Sequence, residues 1–147
     1  MNQCLNEAVN ALLAEFGPVA EENGVRLTVD MDMLPVTPLE DDILAAVFRT
    51  ALEQALAACR ELPEGREKYI KVYMRSFPAW CVSISNPCEK KIPVDEDGYP
   101  LNARGKRGGH TAFLVDTLVA RKMCVGYKIK NGVFDLRFVY LPGARRK

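Results

Sequence analysis

The sequence predicts an α/β protein, a two-layer α/β sandwich in which three helices cover one face of a mixed, mainly antiparallel sheet of about five strands. Three observations carry this prediction. Some segments repeat apolar residues at helical spacing, shorter segments alternate apolar and polar residues, and Gly, Pro and Asn mark the boundaries between them. The elements follow in the order helix, strand, helix, strand, strand, long loop, helix, strand, strand.

The first helix and the first strand are separated by a change of period. Apolar residues recur at helical spacing from Leu5 to Val19, and Asn23-Gly24 supplies a stop signal. The segment 25–31 then alternates strictly, which is typical of a strand with one buried face.

The second helix follows a loop that contains two prolines. Thr37 is predicted as its N-cap and Pro38 as its first helical residue. The wide apolar stripe from Leu44 to Cys59 is typical of a helix that packs on a sheet.

The remaining regular elements are two hairpins and a helix. Asn131-Gly132 is a turn signal for the last hairpin. The predicted segments are the strands 69–74 and 80–84, the helix 110–123, and the strands 127–129 and 133–141.

Periodicity disappears between Pro87 and Gly109, where the chain is charged and rich in Pro and Gly. A loop of this length inside a compact domain is usually functional or mobile. We therefore expect one domain over 1–147, with 87–109 as a lid loop.

Composition excludes several classes of protein. The apolar fraction is 48%, the charged fraction is 27% and the net charge is +1, so no global field favours nucleic acid or an anionic membrane. No apolar run reaches the ~20 residues of a membrane span, so we expect no direct membrane insertion. The expected location is the cytoplasm, either as a free protein or as the cytosolic part of a membrane-anchored sensor.

The cysteines are expected to be reduced core thiols. There are five cysteines, an odd number without a CxxC pair, and the single histidine, His110, makes a zinc site improbable. Cys4, Cys59 and Cys124 fall in helical patterns, whereas Cys81 falls in a strand pattern.

Three stretches together resemble the nucleotide site of the GHKL superfamily of ATPases. They are LAAVFRTALEQALAAC at 44–59, SISNP at 83–87 and GGHTAFL at 108–114. The order and distances are most similar to the C-terminal ATP-binding domain of sensor histidine kinases, in the branch found in quorum-sensing systems. The resemblance covers nearly the whole chain and implies the Bergerat fold.

The first stretch resembles the N box, in which two amide or acidic side chains one turn apart face ATP and Mg²⁺. These positions align to Thr50 and Gln54. The resemblance implies that Gln54 is the magnesium ligand, because its amide oxygen is retained one methylene further out. Thr50 takes the catalytic position in degenerate form, since a hydroxyl cannot serve as a general base.

The other two stretches resemble the glycine boxes. Asn86 aligns to the residue that reads the adenine amino group, and an amide oxygen can accept that hydrogen bond. Gly109, Thr111 and Phe113 align to glycines that let backbone N–H groups approach the phosphates. Arg104 lies in the lid, where the family carries a phosphate-binding lysine. We expect the Phe113 ring to fill the adenine or ribose space.

The resemblance implies an ATP-binding catalytic domain in two-component signal transduction, with ATP and Mg²⁺ as cofactors. Its partners would be the phospho-acceptor helix of the parent kinase and a response regulator, and not nucleic acid. Because N-box and glycine-box positions are substituted, we expect an impaired nucleotide site.

Two other functions stay open, a non-catalytic signalling or docking module and an anti-sigma-factor-type serine kinase on the same fold. The residues also have plain structural interpretations. Thr50 and Gln54 fit a polar helix flank, Asn86 fits a turn before proline, and 104–107 fits a solvated loop face.

Overall fold

A computed structural model describes residues 7–32, 37–88 and 92–140. Its elements follow the predicted order. They are α1 (Glu7–Glu22), β1 (Arg26–Asp32), α2 (Asp41–Arg60), β2 (Tyr69–Arg75), β3 (Trp80–Pro87), α3 (Gly109–Ala120), β4 (Cys124–Lys130) and β5 (Val133–Tyr140).

The strands form one sheet in the order β1-β2-β3-β5-β4. The β1–β2 pair is parallel and the other three pairs are antiparallel, which confirms a mixed, mainly antiparallel sheet. A parallel pair needs a crossover connection, and α2 provides it. Both predicted hairpins, β2–β3 and β4–β5, are present. Asn131 and Gly132 have positive φ values of 53° and 78°, as a tight hairpin turn requires.

The three helices pack on one face of the sheet, which confirms the two-layer sandwich. The core between the layers contains Phe48 and Leu52 from α2, Ile70 from β2 and Phe138 from β5, each fully buried. α2 lies at the centre of the helical layer and contacts both α1 and α3. This placement brings one flank of α2 next to the start of α3. None of the helices among the described residues has the length and apolar character needed to cross a bilayer.

Two local predictions are wrong. Thr37 does not cap α2, because its hydroxyl donates to the Leu39 carbonyl at 2.7 Å, and the helix begins only at Asp41 after Glu40. Cys124 does not lie in a helix. Lys122 adopts a positive φ of 65°, which ends the helical course after Ala120, and Cys124 opens β4 as an exposed residue.

Some predictions concern residues outside the described ranges. These are the place of Cys4, the part 34–36 of the predicted proline loop 34–38, and the last residue, 141, of the predicted final strand.

Candidate functional site

The flank of α2 that carries Thr50 and Gln54 faces the start of α3. Gln54 Nε2 donates to Thr111 Oγ1 at 2.9 Å, and the Tyr127 hydroxyl donates to Gln54 Oε1 at 3.4 Å. These three residues, from α2, α3 and β4, are called the polar junction below. Thr50 lies one turn before Gln54 on α2, half-buried. The structure therefore brings Gln54 and Thr111 into direct contact, as neighbours of the same predicted site.

Thr111 and Tyr127 of the polar junction are shielded from water. Thr111 is only 3% exposed, and burial raises the pKa of Tyr127 to about 12, although its hydrogen bonds to Thr111 and Gln54 act in the opposite direction. Tyr127 also contacts Phe134 edge-on, with ring centroids 5.3 Å apart. The phenol therefore stays protonated and serves as a hydrogen-bond donor at neutral pH.

The residues at this position do not fit Mg²⁺. A magnesium site needs near-octahedral oxygen ligands, commonly including a carboxylate. Gln54 uses its amide nitrogen on Thr111 and its amide oxygen on Tyr127, and Thr50 adds no carboxylate. Across 7–32, 37–88 and 92–140, no three His, Cys, Asp or Glu side chains gather into a metal-binding group. Both ends of the Gln54 amide are thus engaged within the protein.

Asn86, another predicted site residue, lies at the end of β3. It is 1% exposed, and its Nδ2 donates to the Pro87 carbonyl at 2.8 Å. That bond holds the amide in one orientation and leaves the side-chain oxygen as an acceptor. A buried, oriented acceptor of this kind suits an adenine amino group and also suits a turn before proline.

The glycine-box segment begins α3. Gly108 occupies the N-cap position without a side-chain cap, and Gly109 is the first helical residue. Thr111 points into the protein, whereas Phe113 is 39% exposed. The exposure of Phe113 shows that its ring does not pack in the core, and the expectation that the ring fills the adenine or ribose space stays a prediction.

The described part of the lid is an ordered loop. Asp95 Oδ1 accepts hydrogen bonds from the backbone N–H groups of Asp97 and Tyr99, and Asp95 Oδ2 accepts one from Arg107 Nε at 3.2 Å. The Tyr99 N–H and the Arg107 guanidinium hold the pKa of the Asp95 carboxyl below its ordinary value. Arg107 also lies 4.7 Å above the Tyr99 ring. Asp95, Tyr99 and Arg107 are called the Asp95 cluster below.

The lid and the polar junction touch through one aromatic contact. The Tyr99 and Tyr127 ring centroids are 6.1 Å apart in an edge-to-face arrangement. Arg104 lies elsewhere in the lid, exposed, with its backbone N–H donating to Asn102 Oδ1. Among the described residues, no hydrogen bond or ion pair joins Arg104 to another predicted site residue.

Sequence reasoning did not identify Tyr127, Tyr99 or Asp95 as site residues. A signal for Tyr127 was present, because Val125, Tyr127 and Ile129 alternate with exposed residues in β4 and so face the helices. A buried tyrosine hydroxyl usually finds a polar partner. No comparable signal marked Asp95, since its partners depend on the folded path of the lid.

Comparisons with known proteins agree on the fold. No protein-family model matches the chain, and no curated protein matches it in sequence. Solved structures do match. Histidine kinase AdeS of Acinetobacter baumannii superposes with a TM-score of 0.72 and 14% identity, over 93% of this chain and 64% of that one. This chain thus spans less than two thirds of the AdeS structure.

Two shorter structures are covered more completely. The catalytic domain of histidine kinase ThkA, in a nucleotide-free form, has a TM-score of 0.67 and 14% identity over 92% of this chain and 90% of that one. The mycobacterial sensor histidine kinase MprB has a TM-score of 0.65 and 13% identity over 90% and 91%. At these identities the likeness shows the fold, which is that of histidine-kinase catalytic domains.

Proposed function

We propose that the chain is the ATP-binding domain of a bacterial sensor histidine kinase of the quorum-sensing type, with an impaired nucleotide site. The observation that carries the proposal is the polar junction. On a fold shared with histidine-kinase catalytic domains, Gln54 stands where the resemblance expects a magnesium ligand, yet both of its polar atoms bond to Thr111 and Tyr127. Nucleotide binding then depends on the other residues of the predicted site.

Three features support residual nucleotide binding. Asn86 offers a buried acceptor for the adenine amino group. The first turn of α3 has backbone N–H groups without a side-chain cap, which favours an anion such as phosphate. Arg104 supplies an exposed cation in the lid. Together they favour weak binding that does not depend on Mg²⁺.

The proposal includes the surroundings of a kinase domain. A phospho-acceptor helix elsewhere in the parent protein and a response regulator would be the partners, on the cytoplasmic side of the membrane. The domain would span 1–147 with 87–109 as the lid. In this scheme the chain transmits a signal through protein contacts even where phosphoryl transfer is slow.

The engagement of both ends of the Gln54 amide within the protein favours a second candidate, a non-catalytic docking module that has lost nucleotide altogether. A hydrogen bond to a charged group contributes about 1.5–3 kcal/mol. Losing several such contacts moves a micromolar site beyond the millimolar range. The two candidates differ only in whether any nucleotide is still bound.

Calorimetric titration with a non-hydrolysable ATP analogue, with and without Mg²⁺, tests the proposal. For the natural chain we expect weak heats that are the same in both conditions. The double variant Gln54→Asn, Thr111→Gly removes the hydrogen bond from the Gln54 amide nitrogen to Thr111, and the shorter side chain draws the amide oxygen back from the Tyr127 hydroxyl. It should bind at least about tenfold more tightly and in a magnesium-dependent way.

The control is Val119→Ala, which removes apolar atoms from an exposed position two turns further along α3, and it should leave affinity unchanged. Micromolar, magnesium-dependent binding by the natural chain would contradict impairment. A folded double variant that stays silent to millimolar analogue would contradict nucleotide binding and favour the docking module.

A further inference from the structure

The sheet face opposite the helices carries exposed aromatic residues. Strand alternation places Tyr73 on this face at 42% exposure, and Phe77, in the turn between β2 and β3, is 84% exposed. An aromatic side chain this exposed leaves apolar surface in water, and burying that surface under a partner would be favourable. No described helix lies on this side, so the open face offers a surface that begins at the β2–β3 turn.

Two hollows lie side by side on the open face. The larger, about 620 Å³, has an apolar part with Phe77, Pro78, Ala79 and Val139, and its other lining residues are Tyr73, Arg75, Cys81, Ser83 and Arg137. The smaller, about 270 Å³, lies over Gly126 and is bordered by Lys128, Asp135 and Arg137. Gly126 pairs with Arg137 across the β4–β5 ladder, and its missing side chain opens the smaller hollow. An apolar cleft thus adjoins a hollow with basic walls, and Arg137 belongs to both.

Basic side chains outnumber acidic ones on this face. They are Arg26, Lys71, Arg75, Lys128, Lys130 and Arg137 against Asp30, Asp32 and Asp135. The helical layer has the opposite sign. α1 carries four glutamates and no Lys or Arg between Glu7 and Glu22. A chain of nearly zero net charge therefore presents a basic face and an acidic face.

Two of the acidic groups on the open face already have hydrogen-bond or ion-pair partners. Asp135 accepts hydrogen bonds from the Ser83 and Ser85 hydroxyls at 2.7 and 2.9 Å, and Arg137 lies 3.6 Å away. Asp30 holds Arg75 at 3.2 Å. Arg137 keeps further N–H donors, and its side chain is 62% exposed. Arg137 and Lys128 are therefore available to an incoming anion.

We propose that the open face docks an extended, acidic segment of a partner protein, with an apolar side chain against Phe77 and carboxylates at Arg137 and Lys128. The apolar cleft supplies contact area, and the basic rim supplies charge complementarity and orientation. This surface lies on the opposite side of the sheet from the nucleotide site and does not depend on it.

Other occupants fit less well. A nucleic acid would stack bases on exposed rings, but Arg75 already covers Tyr73, with its guanidinium 4.2 Å from the ring centroid. A twofold dimer whose axis passes near Lys128 and Arg137 would bring the basic groups of two copies together.

Binding of short peptides to the full chain tests the proposal by amide NMR titration. The probe is a nonapeptide of glutamates with one central leucine, and the control probe replaces glutamate by lysine. We expect the amide signals of Gly126 and Val139 to shift, with dissociation constants below about 1 mM, and those of Gly109 to stay in place. Added salt should weaken the binding.

Two variants and two matched controls locate the contact. Arg137→Glu and Phe77→Ser should each weaken the acidic probe about tenfold. Arg66→Glu makes the same charge change in an exposed loop, and Val119→Ser removes an apolar group that is 41% exposed on α3. Both controls should bind within about twofold of the natural chain.

Each other outcome would overturn the proposal. A folded chain that shows no shifts at about 1 mM acidic probe has no such surface. Equal binding by Arg137→Glu places the contact elsewhere. Tighter binding of a deoxythymidine oligonucleotide would mean that the face binds nucleic acid. Self-association that Arg137→Glu abolishes would mean that the face binds a second copy of the chain.

Discussion

The polar junction and the Asp95 cluster are two hydrogen-bonded groups that meet at the Tyr99–Tyr127 contact, and they differ in burial. In the junction, Thr111 is 3% exposed and Tyr127 is held in its neutral form by burial. In the Asp95 cluster, side-chain exposure is 22% for Asp95 and 33% for Arg107. The junction joins three elements of regular structure, whereas the cluster joins residues of one loop.

This difference teaches which group fixes the site and which can adjust. A buried polar group that loses its partner keeps its full desolvation cost, so the junction resists opening. A partly exposed ion pair is worth less, because water replaces the lost partner. The polar junction should therefore be rigid, and the loop that holds the Asp95 cluster should be able to rearrange.

The largest expected effect comes from the pH dependence of stability. The folded pKa of Tyr127, about 12, exceeds its ordinary value of 10, so its contribution is fully present below pH 10 and is lost as the pH rises towards 12. Two pKa units correspond to about 3 kcal/mol. We expect the free energy of unfolding of the natural chain to fall more steeply across this window than that of Tyr127→Phe, in denaturant titrations. Parallel curves for the two proteins would contradict the burial of this hydroxyl.

A smaller effect is expected from Gln54→Ala. The change leaves Thr111 and Tyr127 without their common partner and should cost about 1–3 kcal/mol of unfolding free energy. Glu53→Ala, one residue away and exposed, is the matched control and should change stability by less than about 0.5 kcal/mol. Urea unfolding measures both. Equal effects would mean that the junction contributes no more than the helix surface.

The smallest effect on global stability is expected from Asp95→Asn. It weakens the Arg107 ion pair and the acceptor for the Tyr99 N–H, in an exposed loop, so stability should change by less than about 1 kcal/mol. Local order should respond more, with faster hydrogen exchange at the Tyr99 amide. Asp97→Asn, whose carboxylate is 3.8 Å from Arg107, is the matched control and should leave that amide unchanged. Slow exchange in Asp95→Asn would contradict the role of this cluster.

The fold was largely predictable, because it depends on periodicity. The stripe of α2 and the alternation of β2 and β3 reflect burial, and burial decides which face of each element points inwards. The end of α3 was less predictable. Apolar residues continue through Met123, and only the backbone conformation at Lys122 separates helix from strand.

The proximity of Gln54 and Thr111 was predictable from the resemblance to the GHKL nucleotide site, but their direct hydrogen bond was not. Tyr127 joins them from β4, far along the chain, and tertiary packing alone sets that distance. The role of these residues and of Phe113 in binding a nucleotide stays a prediction.

The central β3–β5 pairing has a consequence for the order of assembly. The hairpins β2–β3 and β4–β5 each close through a short turn and can form from neighbouring residues, but β3 meets β5 only after the chain returns across the whole lid and α3. Gln54 and Asn86 come from the half before this return, and Thr111 and Tyr127 come from the half after it. The hydrogen bonds of Gln54 with Thr111 and Tyr127 therefore join the part of the chain before this return to the part after it.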